Sequence, residues 1–158
     1  MVTVADIDIP QAIRSHAFVT GMPGELVDTL VALAAPFHAG AGEIILREGD
    51  HQASEYLVLS GRAAVEVHSP GRGSVIVESV GPGEQFGWSW LVPPHVVLFD
   101  VVAVEPLDAV VLDGAGLRQA CSDDPRLGYE MAMRILKVAA GRLAAARVRL
   151  LDLYGGGR

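Results

Sequence analysis

The run Gly81-Pro82-Gly83-Glu84-Gln85-Phe86-Gly87-Trp88-Ser89-Trp90-Leu91 gathers the residue types best suited to binding chemistry. A proline between two glycines stops the preceding strand. Gly87 lacks a Cβ, so the backbone there can bend sharply and aim successive N–H groups at one anion, as a nest or a helix N-terminus does. On this reading Gly87, Trp88 and Ser89 present backbone and hydroxyl donors, and Trp90 and Leu91 wall the ligand. A second reading uses the same residues as a hydrophobic plug, with two indoles closing one end of a β-roll.

Catalytic and metal chemistry have less to work with. His16, His38, His51, His68 and His95 lie far apart, and none forms the His-x-His pair that a cupin-type metal centre needs beside its carboxylate. His95 or Cys121 is the candidate axial ligand of a haem-sensing variant. Ser89 has no histidine and acid spaced to activate it as a nucleophile. Cys121 is the single cysteine, which rules out an internal disulfide and the four-cysteine zinc patterns. It is reactive only if exposed with a lowered pKa, and inert if buried. The expectation is a non-enzyme with no metal site and no catalytic residue.

The elements that position the central run change character along the chain. Leu26, Leu30, Leu33 and Ala34 repeat at helical spacing behind Met22-Pro23-Gly24, and Pro36 is expected to end that helix. Residues 6–20 read as a small helix or turn with Phe18 and Val19 pinned to the body. Short strands follow at 43–47, 56–59, 63–68, 75–77, 96–99, 101–104 and 109–112, separated by glycine turns. Ala63, Val65 and Val67 share one face of the clearest alternation. The pattern predicts a closed roll or jelly roll.

Asp123 or Asp124 can cap a helix with Pro125 at its first position. Within it Tyr129, Ala132, Leu136, Ala139, Leu143, Ala146, Leu150 and Leu153 step alternately by three and four, the heptad seam of a coiled coil. A second stripe, Leu127, Met131, Ile135 and Val138, is free to pack on the roll. The chain is expected to divide into a helical segment over 1–36, a β-roll over 37–121 and a long helix over 122–154 whose seam makes a homodimer, the alternative being one wide apolar face buried within a single chain.

Of 158 residues, 51% are hydrophobic and 20% charged, which excludes a disordered chain, and no apolar run is long enough to span a bilayer. The start of the chain carries Asp6 and Asp8 and no basic residue, unlike a signal peptide. A cytoplasmic protein with no membrane partner is expected. From residue 125 onward seven basic side chains face two acidic ones, whereas the rest holds five basic and seventeen acidic. The acidic total of −7 argues against DNA as the main ligand.

The ordered set Gly42-Glu43 with Ile45, Glu48-Gly49-Asp50, Tyr56-Leu57-Val58, Gly61, Gly81-Pro82-Gly83-Glu84 and Phe86-Gly87 resembles the cyclic nucleotide-binding domain of the catabolite-activator (Crp/Fnr) family over about residues 15–154. The resemblance implies a mainly β fold with flanking α, a double-stranded β-helix or jelly roll followed by a long dimerisation helix. It implies cAMP or cGMP as ligand and no cofactor. In that family a Phe-Gly-Glu segment opens the phosphate-binding cassette, its glutamate holds the ribose, and a later arginine pairs with the cyclic phosphate. Here the glutamate position is Trp88 and the arginine position falls at Val96-Val97. No Arg or Lys lies between Arg72 and Arg118, which leaves His95 as the nearby cation candidate. Loss of that arginine removes a charge-assisted bond of about 1.5–3 kcal/mol, roughly 10–150-fold in affinity.

The family's transcription factors carry a helix-turn-helix after the long helix. This sequence stops there, so direct DNA binding is not expected. The resulting expectation is a ligand-sensing module with a weak, altered or lost nucleotide site. Its binding residues would be Phe86, Gly87, Trp88, Ser89, Trp90, Leu91, His95 and Val97, with residues around Ala144 to Arg147 of the long helix, Arg147 foremost, capping the pocket from one side, and its output would pass to a protein partner. The alternatives are a ligand-free adaptor dimer and a metal-dependent cupin-like enzyme.

Overall fold

The structure is a computed structural model that describes residues 6–51 and 54–155. Two short helical pieces open it, α1 (Ile9–Arg14) and a 3-10 turn (Ala17–Val19), followed by α2 (Gly24–Ala32). Eight strands come next: β1 (Ala34–Ala39), β2 (Ile44–Leu46), β3 (Ser54–Ser60), β4 (Ala63–Ser69), β5 (Gly73–Val80), β6 (Gln85–Phe86), β7 (Asp100–Ala103) and β8 (Leu107–Asp113). Two helices, α3 (Gly114–Asp123) and α4 (Pro125–Gly155), complete the chain.

The strands form two antiparallel four-stranded sheets, ordered β1-β8-β3-β6 and β2-β7-β4-β5. They stack as an open jelly roll rather than closing into a barrel. Tyr56, Val58, Phe86 and Ala109 of the first sheet meet Val65, Val80, Val101 and Ala103 of the second in one buried core. The opposite face of the first sheet presents Leu57, Val110 and Leu112 to the helices, where Ile13, Leu30, Leu117, Leu127 and Met131 complete a second core. β3 is thus covered on both faces, and its middle, Tyr56 to Leu59, is accordingly a continuous apolar run rather than an alternation. Each fully buried Leu or Ile contributes about 1.5–3 kcal/mol of transfer free energy.

Several elements differ from the sequence expectation. Pro36 does not follow a helix but sits inside β1, an edge strand paired only with β8, where a missing N–H is tolerated. Residues 96–99 form no strand. The backbone there is held by single bonds, Val97 N–H to the Asp50 carbonyl (2.9 Å) and Gly49 N–H to the Val97 carbonyl (2.8 Å). α3 is a helix the sequence conceals, because Gly114 and Gly116 are poor helix formers. The Asp113 carboxylate caps it by accepting from Gly116 N–H at 3.0 Å.

The N-terminal elements are fastened to α4. Arg134 pairs with Glu130 and donates to the carbonyls of Phe18 and Thr20, each at 2.8 Å. α4 begins at Pro125, with the Asp124 carboxylate accepting from Arg126 N–H at 3.1 Å. Its stripe of Leu127, Met131 and Ile135 is buried on the body. The large seam residues are not, with Leu136, Leu143 and Leu150 at 59%, 54% and 53% exposure. No helix among the described residues is long and apolar enough to cross a membrane.

Candidate functional site

The site starts where β6 ends. Phe86 pairs in register with Tyr56 and stacks on its ring, with centroids 4.7 Å apart and planes 9° from parallel. Gly87 then adopts φ +88°, and a Cβ there would lie 2.2 Å from the Ser54 carbonyl oxygen. Only glycine fits this bend. A single helical turn follows, closed by Leu91 N–H on the Trp88 carbonyl at 3.0 Å, and Pro93-Pro94 prevent it from continuing. His95 folds back so that its Nδ1 donates to the Ser89 carbonyl at 2.9 Å.

The bend and α4 enclose a cavity of about 370 Å³. One side is built by Phe86, Gly87, Trp88 and Ser89, and the far side by Leu46, Val65, Val77 and Val101. Residues 92–94 and 96–99 form the rim, and α4 supplies Ala139, Arg142, Leu143, Ala146 and Arg149. Ser89, Glu78, Arg142 and Arg149 are its polar members. Arg142 pairs with Glu78, donates to the Gln85 carbonyl at 3.0 Å, and holds its guanidinium 5.0 Å from the Trp88 ring centroid. That last contact is a cation–π arrangement of about 1 kcal/mol. Burial pushes the Glu78 carboxyl upward, against the opposing pull of Arg142. Arg149 donates to the Val77 carbonyl at 2.6 Å.

Of the residues singled out in the sequence, Phe86, Gly87, Trp88, Ser89 and Val97 meet at this cavity. Trp90 and Leu91 turn the other way, into the helix-side core. The cause is a polar handle: the Trp90 indole N–H donates to Glu55 Oε2 at 3.0 Å beneath the sheet. His95 braces the turn through the Ser89 carbonyl, and of the expected capping stretch 144–147 Ala146 lines the cavity whereas Arg147 does not. Ala139, Arg142, Leu143, Ala146 and Arg149 recur at the i, i+3, i+4, i+7 spacing of one helix face, whereas Arg147 lies about 100° around the helix from Ala146. Arg142 and Arg149 flank the seam seven residues apart, a spacing visible in the sequence once the seam is drawn.

Glu55 also escaped the sequence reading. It is wholly buried, Oε1 has no hydrogen-bond partner among the described residues, and burial lifts its pKa to about 8 against the opposing Trp90 bond. A lone acid beside the run Tyr56-Leu57-Val58-Leu59 was the available signal. The Cys121 thiol is pushed up by burial and by the Glu55 charge, away from the thiolate a reactive cysteine needs. His16 is used structurally: Nδ1 accepts from Phe18 N–H at 3.1 Å, Nε2 donates to the Val58 carbonyl at 2.9 Å, and burial lowers its pKa. Among the described residues no three His, Cys, Asp or Glu side chains converge as metal ligands.

Two facing sheets, a glycine bend after Phe86 and a long helix across the opening define a cyclic nucleotide-binding domain. The chain belongs to that family, whose model matches residues 36–124. It is similar to the CRP-like cAMP-activated global transcriptional regulator of Mycobacterium tuberculosis, 23% identical over 133 residues covering 84% of this chain and 58% of the relative. The chain therefore spans less than two thirds of that relative's length. A cyclic nucleotide-binding domain from Methylobacillus flagellatus superimposes with TM-score 0.76 at 24% identity, over 91% of this chain and 81% of that one. The Thermus thermophilus catabolite activator protein does so with TM-score 0.67 at 26% identity, over 88% and 63%.

Proposed function

We propose that the chain is a non-catalytic ligand-sensing regulator in which α4 carries the state of the cavity to a second copy of the chain. One observation carries this reading: Ala139, Leu143 and Ala146 line the cavity and also lie on the heptad seam. The exposed Tyr129, Leu136, Leu150 and Leu153 favour a homodimer through α4, which covers them. A ligand that shifts α4 alters cavity and seam together.

The nucleotide site itself is altered. Trp88 stands where the resemblance expects the ribose-binding carboxylate, and Val96-Val97 where it expects the phosphate arginine. This supports weak binding of cAMP or cGMP. The open cavity, with Trp90 turned into the other core, favours sensing over an adaptor whose site is plugged by Trp88, Trp90 and Val97. A further protein partner would read the position of α4.

Sedimentation equilibrium with amide hydrogen exchange on α4, with and without cAMP or cGMP, tests the reading. The expected result is a dimer whose α4 protection changes on ligand binding. A chain that stays monomeric, or one that binds ligand with α4 unchanged, overturns it.

A further inference from the structure

The wall of the cavity says more about its ligand than the bend does. Apart from Ser89, Glu78, Arg142 and Arg149, every lining residue is apolar or glycine. Ribose hydroxyls and purine ring nitrogens that fall against the apolar part of such a wall are left without partners, a penalty that an alkyl chain or aryl ring escapes. The rim repeats the pattern, since Val92, Leu98 and Phe99 are exposed large hydrophobics at its edge.

The charge sits at one end. Arg142 and Arg149 engage neighbouring residues of β5, Glu78 and Val77, so their guanidiniums are brought together from one helix face. Glu78 offsets one of them, and Arg149 forms no ion pair among the described residues. Arg149 donates one N–H to the Val77 carbonyl and so keeps guanidinium donors free beside an apolar chamber, with Glu78 and Glu84 as the nearby acids. A guanidinium fork matches a carboxylate in geometry and charge.

We propose that the cavity binds an amphipathic monoanion, a carboxylate on an apolar chain or aryl ring, with the carboxylate at Arg149 and Arg142 and the apolar part against Trp88, Val97 and Leu143. This rests on the sensing reading above and names its ligand class. The anion contacts α4 directly, whereas the family resemblance puts the cation on the roll, near Val96-Val97.

The test titrates the full chain, by calorimetry and tryptophan fluorescence, with decanoate, 3-phenylpropanoate, decanol and cAMP. Saturable binding of one carboxylate per chain, with decanol and cAMP at least about tenfold weaker, is the expected result. Decanoate or 3-phenylpropanoate as the tighter probe separates an alkyl from an aryl ligand. Arg149→Gln, on the exposed part of α4, should weaken the carboxylate about tenfold and leave decanol unchanged. Ala146→Trp, which fills the chamber, should abolish both. Decanol binding as tightly as decanoate, or carboxylate binding indifferent to Arg149→Gln, overturns the carboxylate seat. Tighter binding of cAMP than of either carboxylate overturns the ligand class and leaves the sensing reading standing. No binding of any probe overturns both.

Discussion

The Trp90 indole donates to a carboxylate, that of Glu55, which has no contact with water. This bond fixes the direction of the second tryptophan: Trp90 is buried in the core beneath the sheet, whereas Trp88 lines the cavity and packs against the edge of that same core. It also places an ionisable acid where its charged form is disfavoured.

Burial raises the Glu55 pKa from 4.5 to about 8, so the folded chain holds this proton more tightly than the unfolded one. Glu55 therefore contributes stability that is fully present below pH 4.5, declines as pH rises and is lost through about pH 8. Glu55→Gln keeps an acceptor for Trp90 and removes the titration. Denaturant unfolding of both proteins between pH 5 and 8 should give a difference that moves steadily in favour of the variant. A pH-independent difference would show that Glu55 does not titrate in this range.

Gly87→Ala should be costly and local. It sets a methyl 2.2 Å from the Ser54 carbonyl oxygen at φ +88°, so the bend must open. A loss of roughly 2–3 kcal/mol is expected, from left-handed strain plus displaced backbone. Gly141→Ala is the control, since nothing lies within 4 Å of its added methyl. It should stabilise the helix by about 0.5–1 kcal/mol, as read from thermal melting.

Leu136→Glu with Leu150→Glu should convert a dimer to a monomer without unfolding the chain, because both side chains are exposed on the single copy. Sedimentation gives the mass, and circular dichroism reports the retained helix. A dimer that survives both changes would place the contact elsewhere.

Trp88→Glu with Val96→Arg should raise cAMP affinity by about 10–150-fold, since it returns a carboxylate and a guanidinium to the positions the family resemblance assigns them. Both residues line the cavity. Calorimetric titration against the parent chain measures the gain. No gain would mean that more than the anchors has changed.

The turns and the long helix were legible in the sequence because glycine, proline and heptad spacing act locally. Phe86-Gly87 marked the bend, and the Leu127, Met131, Ile135 stripe marked the buried face of α4. Features decided by tertiary context were hidden. Pro36 entered a strand because β1 is an edge, and α3 formed around two glycines because Gly116 packs against Leu33, with 2.7 Å left for an added Cβ. Val96 to Phe99 looked like a strand by composition, yet only Val97 is drawn inward, through its bonds to residues 49 and 50. The cavity's cations were missed for the same reason. Arg142 and Arg149 become site residues only when α4 crosses the bend, and Trp90 could not be told from Trp88 until Glu55 claimed its N–H.

Three small or medium side chains, Ala139, Leu143 and Ala146, belong at once to a chamber and to the ridge on which the proposed homodimer would pair. In such a dimer, whatever free energy an occupant of the chamber added to pairing, pairing would return to the occupant in equal measure. The dose at which such a molecule responds would then depend on how much of it is present. A cell could retune its sensitivity by changing expression alone, with no substitution in the pocket.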